Sequence, residues 1–158
     1  MYSPNDPVGK VTGTMAKLFA LLADEVIGAV GEEQGEAIVR SAVRKFAVMR
    51  AEGIKERIRA AGKEITFETV DEFSDYPPNN AWDCTSSVDG DTLVEVNRAC
   101  PFATAFREIG LEHRGRLYCD VIDVAMNETF FGKIDFKRTS IFSDGPTAHC
   151  DMIVTKLS

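Results

Sequence analysis

The chain has 158 residues and a net charge of −7, with 44% hydrophobic and 27% charged residues. These proportions exclude collagen-like, disordered and membrane-spanning classes and point to one domain, residues 1–158. No basic stripe exists to neutralise phosphates: the densest basic stretch, Arg50 to Lys63, is interleaved with Glu52 and Glu56, so nucleic acid is not an expected partner.

No apolar run approaches the roughly 20 residues a membrane helix needs. The longest candidate, Met15 to Val30, is broken by Lys17, Asp24, Glu25 and Gly28. The first residues, Met1 to Asp6, lack the basic region and cleavage site of a signal peptide. The expectation is a cytoplasmic chain without a membrane partner.

Helical periodicity occupies the first third. One amphipathic segment runs from Val8 to Val30, entered through Pro7 and ending near Gly31. A second, Glu32 to Ala61, repeats Val39, Val43, Phe46, Ala47, Ile54 and Ile58 at helical spacing. Glu32, Glu33 and Glu36 oppose the positive end of its dipole, Gly62 suits a left-handed cap, and Gly53 marks a site for a kink.

After Gly62 the pattern changes. Ile65, Phe67 and Thr69 alternate with Thr66, Glu68 and Val70, which reads as a strand. Tyr76-Pro77-Pro78-Asn79-Asn80 is a turn. Ala81–Val88 and Thr92–Arg98 form a hairpin about Asp89-Gly90-Asp91. Cys100-Pro101 opens a helix running to Gly110, and Gly115 to Glu128 forms another. Ile134–Ser140 and His149–Leu157 are strands joined by a Ser143-Asp144-Gly145-Pro146 turn. The order ααβββααββ predicts an α+β fold, in which helices pack on an antiparallel sheet. Residues 1–62 form its helical part and 63–158 its sheet-and-helix part.

No phosphate loop, GxSxG elbow, HExxH or dinucleotide fingerprint occurs. Histidine stands only at 113, read as an exposed loop residue, and at 149, which a regular strand turns away from Cys150. The four cysteines, at 84, 100, 119 and 150, form no CxxC pair.

The C-terminal half nevertheless gathers chemistry. Cys100 begins a helix, where the dipole and free amides favour a thiolate. Cys119 and Asp123 are four apart and share a helical face. Cys150 enters the last strand. These three thiols and one carboxylate fit either a nucleophile with a neighbouring base or a tetrahedral thiolate–metal site. Cys84 reads as structural. Trp82, Phe130 and Phe131 are candidates to line an apolar pocket.

Asn97-Arg98-Ala99-Cys100-Pro101, Tyr118-Cys119-Asp120-Val121-Ile122-Asp123, and Lys137-Arg138-Thr139 through Gly145 to Cys150-Asp151 resemble successive blocks of the L-2-amino-thiazoline-4-carboxylic acid hydrolase family. The resemblance spans about residues 30 to 155. It implies hydrolytic opening of a five-membered cyclic isothiourea at an amide-type C–N bond, giving an N-carbamoyl amino acid.

On that reading the catalytic candidates are Cys100, Cys119, Asp123 and Cys150. Cys100 is the first choice of nucleophile, and Asp123 can take a proton from water instead. Arg98, Arg138, Trp82 and Asn127 are the candidates for binding a small-molecule carboxylate substrate, the arginines through paired N–H donors. No cofactor is expected apart from a thiolate-bound metal, and a homo-oligomer is left open. The final Gly145-to-Cys150 stretch is also similar to the end of 4-vinyl reductase domains, which implies a binding module without turnover as the alternative.

Overall fold

A computed structural model of the chain describes residues 1–140 and 150–157. Helix α1 (Pro7–Val30) begins where the Asp6 carboxylate accepts the Val8 amide at 2.9 Å, with proline in the first turn. It stops at Gly31, whose φ of 88° only glycine adopts cheaply. Helix α2 (Glu32–Ala60) runs unbroken through Gly53. The helix is not split there: Ala51, Ile54 and Ile58 are all buried, and that packing outweighs the weak local propensity.

The end of α2 is a Schellman cap, as the glycine suggested. Gly62 has φ 69°, its N–H donates to the Arg59 carbonyl at 2.9 Å, and the Lys63 N–H reaches the Ile58 carbonyl at 3.1 Å.

One expected strand is instead a helix. Residues 67–70 fall in α3 (Phe67–Glu72), which a capping box on the N-cap Thr66 opens. The Thr66 N–H donates to Thr69 Oγ1 at 2.8 Å and the Thr69 N–H to Thr66 Oγ1 at 3.2 Å. The apolar residues fit both periods: Phe67, Val70 and Phe73 recur every three, and the cap decides between them. Phe67 is buried against Phe131, with ring centres 4.7 Å apart.

Strands β1 (Asp83–Asp89) and β2 (Thr92–Ala99) form the expected hairpin about Gly90. Helices α4 (Pro101–Glu108) and α5 (Glu112–Phe131) follow, then β3 (Ile134–Ser140) and β4 (Cys150–Lys156). The four strands lie in the order β1-β2-β4-β3 and pair antiparallel throughout. The observed fold is therefore α+β, with three helices before the first strand. The Ser143–Pro146 turn and His149 lie outside the described residues.

Register fixes which side chains face the helices. Cys84, Asn97 and Cys150 lie opposite one another across β1, β2 and β4. Glu95, Met152 and Arg138 form the next row across β2, β4 and β3. Helix α5 lies against α2, joined through Val43, Ala47, Tyr118, Ile122 and Ala125. It begins earlier than Gly115, so His113 sits exposed in its first turn rather than in a loop. Gly115 is where α5 meets α4: a Cβ there would run into the Phe106 ring. Among the described residues no helix is long and apolar enough to cross a membrane.

Candidate active site

A cavity of about 420 Å³ opens between the helix-facing side of the sheet and the helices. Periodicity explains its wall. Cys119 and Asp123 share a face of α5, Cys100 precedes the first turn of α4, and Cys150 and Arg138 point inward by strand alternation. Trp82 closes one side, in contact with Tyr76 at 5.1 Å between ring centres. Cys100, Cys119, Asp123, Cys150, Arg138 and Trp82 thus all line one space.

Arg98 and Asn127 do not line this space. Arg98 is one residue beyond the inward-facing Asn97, so it points to the exposed side of the sheet, where it lies 3.4 Å from Thr85 Oγ1 and 3.9 Å from Asp83. Asn127, a turn beyond Asp123 on α5, donates to the Asp123 backbone carbonyl at 2.9 Å. Phe130 packs with Ala51, Ile54 and Ile58, and neither it nor Phe131 lines the cavity.

Among the cavity residues that escaped the sequence reading are Glu95 and Arg50. Glu95 sits in the regular alternation of β2, and the strand pattern that located Asn97 would have found it. Arg50 on α2 makes a two-pronged ion pair with Asp75 at 2.7 and 2.6 Å, and nothing local in the sequence announces this partnership.

The electrostatics centre on Asp123. Burial raises its carboxyl above the ordinary range, and the Arg138 guanidinium bonded to it opposes that rise. Arg138 also donates to the Cys119 carbonyl at 2.6 Å, while its buried Nε has no hydrogen-bond partner among the described residues. Both terminal nitrogens are therefore committed within the protein.

Burial governs the thiols as well. It pushes Cys119 well up, with the charges of Cys100 and Asp123 adding to the effect, and takes Cys150 to about 11. Cys100 is raised too, which corrects the expectation of a thiolate-favouring helix start. Its thiol makes no capping hydrogen bond, yet the Phe102 and Ala103 amides and the Trp82 indole favour its anion. Desolvation outweighs all three.

Cys84 is exposed, and its thiol donates to Glu95 Oε1 at 3.2 Å. Among the described residues no group of three or more His, Cys, Asp or Glu is arranged to hold a metal ion. A thiolate–metal centre at Cys100, Cys119, Cys150 and Asp123 therefore finds no support in the geometry.

Helices packed against an antiparallel sheet, over a small-molecule-sized cavity in whose wall thiols and carboxylates stand among apolar side chains, define an α+β protein with a candidate small-molecule site. The family model described as L-2-amino-thiazoline-4-carboxylic acid hydrolase matches residues 12–154, and the chain belongs to that family. Comparison with curated proteins and with solved structures gives no match.

Proposed function

We propose that the cavity opens a five-membered cyclic isothiourea bearing a carboxylate, of the 2-amino-thiazoline-4-carboxylate type, to an N-carbamoyl amino thiol acid. Family membership supports the reaction class. The observation that carries the reading is the Asp123 carboxylate, held by Arg138 inside a cavity of about 420 Å³. Water adds to C2 across the C=N bond, and C2 keeps both nitrogens. The bond that breaks is therefore C2–S rather than C–N, and the product carries a free sulfhydryl.

Asp123 is the base that takes the proton from water. Burial makes its carboxylate more basic than an exposed one, which suits a base working near neutrality. With every cavity thiol shifted upward, activation of water is favoured over attack by a resting thiolate. Arg138 orients Asp123, since its terminal nitrogens are engaged. Trp82 and Tyr118 offer aromatic faces to the planar ring.

Purified protein incubated with a panel of thiazolines, cyclic ureas and hydantoins tests the reading. The expected result is preferred turnover of 2-amino-thiazoline-4-carboxylate, with the N-carbamoyl thiol identified by mass. Absence of turnover across the panel would overturn it.

A further inference from the structure

Glu95 lies on β2, an interior strand, and its side chain enters the cavity. In its row across the sheet Met152 stands between it and Arg138. Two strand spacings separate them, about 10 Å. Arg138 is bonded to Asp123, and Glu95 makes no ion pair among the described residues. The cavity thus holds Asp123, paired to a guanidinium, and Glu95, which is not, and both carboxyls line the same space.

Resting on the ring-opening reading above, we propose that Glu95 is the general acid of the reaction, protonating the ring sulfur as the C2–S bond breaks. As the water oxygen bonds to C2, Asp123 takes one water proton and hands it to the ring nitrogen, which has received the C=N electron pair. The adduct then collapses. Its hydroxyl proton passes to Asp123, the C=O bond forms, the C2–S pair goes to sulfur, and sulfur takes the Glu95 proton. Solvent returns a proton from Asp123 to Glu95, so the sum is substrate plus one water, with no redox change. Cys84 is a positioning residue, its thiol fixing Glu95 Oε1 at 3.2 Å.

The surroundings suit an acid. Burial is the largest influence raising the Glu95 carboxyl, the Cys84 hydrogen bond lowers it, Asp123 of α5 and Asp71 of α3 add to the rise, and Arg138 of β3 opposes it. Arg50 of α2 and Cys150 of β4 share the cavity but are not among these main influences. Asp123 is bonded to the Arg138 guanidinium and Glu95 is not, and two carboxyls in such unequal environments are the arrangement that divides a base from an acid.

The test is the pH–rate profile of wild type, Glu95→Gln and Glu95→Asp on two rings, 2-amino-thiazoline-4-carboxylate and its oxygen analogue. An alkoxide leaves less readily than a thiolate, so the oxygen ring depends more on the acid. The expected result for Glu95→Gln is a kcat loss of about 100-fold or more on the thiazoline, loss of the alkaline limb, and a larger loss on the oxygen ring. Glu95→Asp is expected to keep the alkaline limb at reduced rate, which also covers a Gln variant that fails to fold.

Unchanged kcat and alkaline limb in Glu95→Gln, or an equal loss on both rings, would overturn the role of Glu95 and leave the ring-opening reading standing. A wild type that opens neither ring overturns that reading and this role with it.

Discussion

Arg138, on the edge strand β3, reaches over to α5 and donates both to the Asp123 carboxylate and to the Cys119 backbone carbonyl a turn earlier, the latter at 2.6 Å. One guanidinium therefore ties the sheet edge to the helix that carries the base and sets the orientation of Asp123. Its planar fork is needed for this, and an ammonium offers no equivalent.

Arg138→Met and Arg138→Lys test the link. Removing the guanidinium removes an influence that lowers the Asp123 carboxyl, so its titration moves to higher pH. The acid limb of kcat/KM in Arg138→Met is expected to shift upward, with activity at neutral pH down about 10-fold or more. Arg138→Lys keeps the charge, so its acid limb is expected to lie between those of wild type and Arg138→Met. An unmoved limb in Arg138→Met would show that Asp123 is not the base read by kinetics.

Glu95 also gives a pH dependence of stability. Its folded carboxyl is raised above the ordinary 4.5. Between that value and its raised native one, the folded chain holds more of the proton than the unfolded chain, so stability falls as pH rises through the window. Glu95→Gln is expected to remove this falling component, and its stability relative to wild type should grow from acid toward neutral pH. Urea denaturation at a series of pH values measures it.

Helix packing makes a sharper distinction among glycines. A Cβ on Gly35 would lie 2.6 Å from the Ile27 Cα of α1, and one on Gly115 would strike the Phe106 ring. Gly28, exposed on α1, has nothing within 4 Å. Gly35→Ala and Gly115→Ala are expected to cost about 1–3 kcal/mol, and Gly28→Ala to stabilise by about 0.5–1 kcal/mol. Thermal melts of the three variants check the order.

Much of this architecture is legible in the sequence because its signals are local. Pro7, Gly31 and Gly62 bound the long helices, and Gly90 turns the hairpin. Cys119 and Asp123 converge because helical spacing requires it, and Cys150 joins them through strand alternation. Residues 65–70 were misread because a short segment satisfies periods of two and three equally, and the Thr66–Thr69 box tips it to helix.

Arg98 illustrates a different failure. Arg98 came with the Asn97–Pro101 block of the resemblance, but strand alternation from Asn97 turns it away from the cavity. The reactivity expected of Cys100 was legible in kind but not in outcome, because desolvation depends on what packs around the sulfur. The same holds for Arg50 and Asp75, whose pairing joins residues 25 positions apart.

The most direct test is the rate of thiol release from 2-amino-thiazoline-4-carboxylate by wild type, Asp123→Asn and Cys100→Ser under single-turnover conditions. The expected result is release by wild type, a loss of about 100-fold or more in folded Asp123→Asn, and a much smaller loss in Cys100→Ser. Wild-type release by Asp123→Asn, or its abolition in Cys100→Ser alone, would contradict activation of water by Asp123.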